Sequence, residues 1–455
     1  MADAGAARTV IIVAPSFAPA SNPPTQRVRF FARHLPTFGW TPIVLTVEPR
    51  YYEERLDPEI DALLPPGLEI VRTGAWRAGL TRPVGIGDLG LRAYPQLRAA
   101  LRALCPVRRP DVVLFVGPPW YPFLLGPGVR RAYGIPYVLD YIDPWVNAMG
   151  ADGRWWTKAF WARQLALRLE PLAVRQAAHV VAVSAGTAAT VRARCPELTA
   201  DRCTEVPYGL EPDDFVALRA RPRPNPFWRS DDGAFHLAYV GAMLPRGYDT
   251  LRALFAAVAA LRRANPDIGA RLRLHFIGTT YDPRPPRQLV WPVADAMGLA
   301  DIVTEHAARV PYLDALNAMC SADALLALGS SERHYTASKI YPSVLTGRPL
   351  LAIYHAESSV CDVVRRTGAG VLVTYDDAHP AGDQLDRIGA ALAHVLERRM
   401  AEAPRSGSAA RAVAALTDFT AESMTARLAA VLDASVTRPP AASGRQPRDR
   451  SSARV

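Results

Sequence analysis

The stretch RARPRPNPFWRSDDG, residues 219–233, places three prolines and several charged side chains between two long apolar regions. Each proline lacks a backbone N–H and forces its predecessor out of the helical range, so neither a helix nor a central strand can form there. It reads as a linker within a break over residues 217–233, and it divides the 455-residue chain into two similar parts.

Upstream, short β-branched runs alternate with Gly/Pro-rich turns and stretches of helical periodicity. Strands are expected at 9–14, 41–47, 69–73, 111–116, 137–139 and 180–184, and helices at 27–35, 91–104 and 155–178. The runs lack polar alternation, which predicts parallel sheets covered on both faces. From Phe235 the theme restarts. Strands at 236–241, 273–277, near Ile302, 324–327 and 350–354 alternate with helices at 250–264, 286–297, 313–321 and after Ser338. The fold class expected is α/β, with two Rossmann-like doubly wound domains (1–216 and 234–419) facing a cleft. A helix over 420–434 ends the fold, and 435–455 has the composition of a disordered tail. Open α/β folds bind ligands beyond the carboxyl ends of their strands, so function belongs in the cleft.

Composition narrows the function classes. The net charge of +10 comes almost wholly from arginine, since Lys158 and Lys339 are the only lysines, and the last 20 residues alone supply +4. No basic stripe runs through the folded part, which argues against nucleic acid as a partner. Cys105, Cys195, Cys203, Cys320 and Cys361 are odd in number and show no zinc spacing, so free thiols, no metal and a cytoplasmic setting are expected. The uncharged run 112–129 contains four prolines and reads as strand plus loop, not as a membrane span. Neither domain has G-x-G-x-x-G after its first strand or a P-loop, so dinucleotide and P-loop chemistry lose their main support.

Two motifs of the second domain suit an anion. In YVGAMLPRGYDTL, residues 239–251, Gly241 lets backbone amides approach a ligand and Arg246 precedes a helix start. In SSERHYTASKIYPSVLTGRPLLAIYH, residues 330–355, Ser338 stands where an N-cap is expected and Lys339 falls in the first turn. A cation there opposes the helix dipole unless an anion joins it. An ordinary turn with solvated Arg and Lys side chains would explain the same residues. In the first domain Asp140 and Asp143 project from a strand end, where either could serve as a base or orient an acceptor hydroxyl, while Asp143-Pro144 also suits a plain turn or cap. His34, His179, His236 and His275 fall inside expected elements and read as structural. Trp155, Trp156, Phe160 and Trp161 interleave with Arg154, Lys158, Arg163 and Arg168 in one expected helix. Such a helix suits peripheral contact with an anionic inner membrane leaflet, or its aromatics belong to the core.

The order and spacing of these pieces resemble the GT-B, family-4-type glycosyltransferases of bacterial polysaccharide assembly. The resemblance rests on APSFAPASNPPTQRVRFFARHLPTFGWTPIVLT (14–46), PDVVLFVGPP (110–119), GIPYVLDYIDPW (134–145), AAHVVAVSAG (177–186), VPYGLEPDDF (206–215), YVGAMLPRG and SKIYPSVLTGRP, and it covers nearly the whole folded chain. It implies a nucleotide-diphosphate sugar donor on the second domain, a glycan or polyprenol-linked acceptor on the first, and a last helix that crosses back to the first domain. It also implies retention of configuration without metal or cofactor. Arg246 and Lys339 match the family's basic pair on the diphosphate, with Ser338 beside them. The loop PASNPPTQ, which holds Asn22, and Arg27 and Arg29 after it match the segment that meets donor phosphates and acceptor.

Departures from the pattern are specific. The family's His-Asp pair reads Ile142–Asp143, its two glutamates fall at His334 and Pro342, and the arginine after the first glycine is Ala242. Glu332, two residues early, is the substitute candidate for orienting the donor sugar, and Asp143 is the candidate facing the acceptor. The alternatives are a nucleotide-sugar epimerase of the same shape and a degenerate scaffold without catalysis.

Overall fold

The computed structural model describes residues 7–146, 149–243, 245–280, 287–333, 337–401 and 416–437. The first sheet contains β1 (Arg8–Val13), β2 (Trp40–Val47), β3 (Glu69–Thr73), β4 (Val112–Gly117), β5 (Tyr137–Tyr141), β6 (His179–Ala182) and β7 (Cys203–Glu205). Their order is β3-β2-β1-β4-β5-β6-β7. The second sheet contains β8 (Phe235–Val240), β9 (Leu272–Ile277), β10 (Val303–His306), β11 (Ala324–Leu328), β12 (Leu350–His355) and β13 (Gly370–Tyr375), in the order β10-β9-β8-β11-β12-β13. All pairings are parallel, for example Ile11 opposite Ile43 and Leu237 opposite Leu274. In both sheets the order reverses beside the first strand, which opens the crevice typical of doubly wound folds. Every residue of β4, β5, β8, β11 and β12 is buried, the pattern of strands covered on both faces.

Local chemistry sets the element ends. The first helix, Pro23–His34, starts earlier than its periodicity suggests, because Asn22 accepts from the Thr25 amide and Pro23 and Pro24 occupy positions that need no N–H. The expected helix over 155–178 is shorter. It runs Lys158–Val174 behind a Thr157 cap, so Trp155 and Trp156 lie ahead of it. The Pro212–Ala220 helix extends into the segment expected as linker. The edge strands β7 and β13 were not among the expected strands.

The chain passes between the sheets twice. At the first crossing Arg223 forms ion pairs with Glu59 of the first domain and Asp314 of the second (2.8 and 2.9 Å). Trp228 then stacks on His236 and His275, with centroids at 5.4 and 4.4 Å. Burial leads the causes that hold the His275 imidazole down at about 3, so that ring stays uncharged at neutral pH. At the second crossing Phe419 packs on Tyr341, with Arg366 over its ring. Leu210 N–H donates to Phe419 O and Ala421 N–H to Leu210 O, at 3.0 and 2.7 Å. The last helix, Ala421–Thr437, then lies on the first helix, and Asp433 pairs with Arg8 and the Trp40 indole. The tail beyond Thr437 lies outside the described residues. The five cysteines are free thiols, and no described helix is long and apolar enough to cross a membrane.

Candidate active site in the cleft

A cavity of about 120 Å³ opens between the domains. The first helix contributes Gln26, Arg27 and Phe30 to its wall, and the second domain contributes Gly241, Arg309, Tyr312, Ser338 and Lys339. Gly241 directly follows β8 with φ at 155°, a conformation that disfavours side chains, and its amide donates to Ile277 O.

Lys339 is the N-cap residue of a short helix, Ile340–Leu345, so the helix begins one residue later than expected and Ser338 belongs to the turn before it. The ammonium lies 5.1 Å from the Tyr312 ring centroid and makes no hydrogen bond or salt bridge among the described residues. Enclosure by protein, followed by the charge of Arg309, lowers its pKa to about 8. Tyr312 is the pillar of this region. Its hydroxyl donates to Asp214 at 2.8 Å and its amide to Asp57 at 2.6 Å, both in the first domain. Asp214 in turn holds Arg29 in a buried bidentate pair, and the Arg29 guanidinium also lies over the Tyr312 ring.

Arg246 and Glu332 stand on the exposed rim, paired at 3.6 Å, with their loops joined by a Ser331 N–H to Arg246 O bond. Asp143 faces them from the loop after β5. Water reaches this carboxyl, yet protein rings it, and that enclosure, with Glu332 second, pushes its pKa up to about 6. Trp120 steadies the loop by donating to Asp143 O at 3.1 Å.

Residues 24–209 match the model of the glycosyl transferase 4-like domain. The full chain is similar in structure to trehalose-6-phosphate from E. coli bound with UDP-2-fluoro glucose. That likeness has a TM-score of 0.64 at 12% identity, covering 95% of this chain and 100% of that one. An α,α-trehalose-phosphate synthase (UDP-forming) from Burkholderia vietnamiensis gives 0.63 at 10%, covering 95% and 98%. A glycosyltransferase from Rickettsia africae gives 0.57 at 11%, covering 95% and 99%. At such identities the likeness establishes the fold, which is GT-B. No protein of curated function matches the chain in sequence.

Three candidates of the first domain already have protein partners in this structure. Arg27 and Asp140 form a bidentate pair at 2.7 and 2.9 Å, both buried, and Arg27 also donates to Val206 O and Pro207 O. Neither is free to meet an acceptor. Asn22 spends its amide on Ser16 and Glu54 and its carbonyl on the helix cap. Ile142 is buried in the core of the first domain. In the second domain Pro342 is buried within the short helix, and His334 lies outside the described residues. Sequence reasoning missed Arg309 and Tyr312. Both follow β10, at the carboxyl end of the second sheet, and that position was their available signal.

Proposed function

We propose that the protein is a retaining glycosyltransferase that moves a hexose from a nucleotide-diphosphate sugar to a glycan or lipid-linked acceptor on the cytoplasmic side, using protein cations in place of a metal. The observation that carries this reading is Lys339, an enclosed ammonium with a cationic neighbour, Arg309, and no carboxylate in contact among the described residues. Such a group is unfavourable until an anion joins it, and a diphosphate supplies one.

In the reaction, the bond from the anomeric carbon to the phosphate oxygen breaks and negative charge grows on the departing diphosphate. Lys339 and Arg309 stabilise that charge where it develops, and Arg246 at the rim supplies a third cation. The acceptor oxygen bonds to the anomeric carbon on the face the diphosphate leaves, and its proton passes to Asp143. A carboxyl near 6 is ionised at neutral pH and is a better base than an ordinary aspartate. Glu332, which pairs with Arg246 across the rim from Asp143, orients the donor sugar.

The test is thermal unfolding with UDP, GDP, ADP and dTDP. A ligand at about 100 times its Kd stabilises by roughly 2.7 kcal/mol. A selective rise with one base, absent in Lys339→Ala, is the expected outcome. No rise with any of them in the folded wild type would overturn the donor assignment and favour a scaffold. Conversion of a sugar nucleotide to an isomer without acceptor would identify an epimerase.

A further inference from the structure

The outer face of the Lys158–Val174 helix is apolar where a surface helix is ordinarily polar. Ala166, Glu170 and Ala173 face inward, with Glu170 neutralised by Arg194 at 2.5 Å. Outward, Trp161, Leu165 and Leu172 are exposed at helical spacing, with Arg168 completing the stripe. Just ahead of the helix Trp155 and Trp156 are 65% and 68% exposed, against 60% for Trp161, and the two rings meet edge to face. No acidic residue occurs between Gly153 and Leu169, whereas Arg154, Lys158, Arg163 and Arg168 do.

A second exposed apolar segment leaves the same end of the first sheet. After β3, Leu80 and Val84 are 76% and 73% exposed, together with Trp76 and flanked by Arg77 and Arg82. The Tyr121–Leu125 turn, which follows β4, packs against both the Leu89–Arg92 helix and the Lys158–Val174 helix, so the two segments belong to one carboxyl edge. Large apolar rings standing in water beside cations match one environment, the headgroup region of an anionic bilayer, where aromatic rings sit at the interface and guanidinium and ammonium groups meet phosphates.

We propose that this edge of the first domain is a docking surface for an anionic phospholipid bilayer, with Trp155, Trp156 and Trp161 entering the headgroup layer. The contact does not depend on the donor chemistry proposed above, and its test has a separate readout. Full-length protein is sedimented with phosphatidylethanolamine/phosphatidylglycerol vesicles and with pure phosphatidylcholine vesicles at 150 mM salt. The expected result is partition into the anionic vesicles at least tenfold above the neutral ones. Joint Trp155→Ala, Trp156→Ala and Trp161→Ala substitution lowers that partition at least tenfold, with the unfolding temperature and any nucleotide-induced shift unchanged. A second variant, Trp156→Glu, guards against a general loss of surface hydrophobicity and is expected to fail equally. Wild type that stays in the supernatant, equal partition into neutral vesicles, or a triple variant that partitions like wild type would each overturn the proposal. A lipid-free dimer that dissociates on the same substitutions would reassign the surface to a second copy of this chain.

Discussion

Arg27 and Lys339 are both enclosed cations bordering one cavity, and they are treated in opposite ways. Arg27 has a carboxylate, two carbonyls and an aromatic ring, so its charge is fully answered within the first domain. Lys339 has a ring below it and Arg309 beside it, and the Asp214 charge, which acts in its favour, is outweighed and makes no contact with it. The first arrangement makes a charge part of the framework, whereas the second leaves it unfavourable until an anion arrives. A charged residue at a cleft is thus informative about ligands only once its protein partners are known.

The contrast can be broken most forcefully at Asp140. Asp140→Ala strands a buried guanidinium and is expected to cost about 3–5 kcal/mol in urea unfolding, and a cost below about 1 kcal/mol would remove Arg27 from the framework class. Lys339→Met is expected to abolish nucleotide stabilisation of roughly 2.7 kcal/mol without lowering the stability of the ligand-free fold. Its folded pKa of about 8 lies below the unfolded value of 10.5, so the charge destabilises the fold fully below pH 8. Between the two values the unfolded state holds the extra proton, and the deficit shrinks as pH rises. A wild type that shows no such gain relative to Lys339→Met would mean that the ammonium is already satisfied.

Smaller effects sharpen the comparison. The kcat/KM of sugar transfer is expected to rise as Asp143 ionises near pH 6 and fall as Lys339 loses its proton near pH 8, with about tenfold per unit beyond each limit. Glu332→Gln moves the acid limb down, because the Glu332 charge helps to raise Asp143. A profile flat from pH 5 to 9 would count against both roles. Arg246→Ala removes a half-exposed ion pair and is expected to change stability by less than about 0.5 kcal/mol, so any larger effect must appear in donor KM.

The fold was legible because fully buried parallel strands need uninterrupted apolar runs, as in VVLFVG of β4 and LLAIYH of β12. The edge strands β7 and β13 escaped because one is three residues long and both are only partly buried. At the site, Gly241, Lys339, Glu332 and Asp143 could be picked out since each follows the carboxyl end of a strand. Which carboxylate faces which arginine could not. Asp140 and Arg27 are 113 residues apart, and nothing local distinguishes a base awaiting an acceptor from half of an ion pair. Likewise Tyr312 looks like any helix-start tyrosine until Asp57 and Asp214 come to it from the other domain.

The two crossings also have a mechanical meaning. Trp228, stacked on the His236 and His275 rings, and Phe419, packed on Tyr341 beneath Arg366, are each riveted to the second domain. The Tyr312 bonds to Asp57 and Asp214 add a third tie at the cleft itself, so the two sheets are braced at the wall of the cavity as well as where the chain crosses between them.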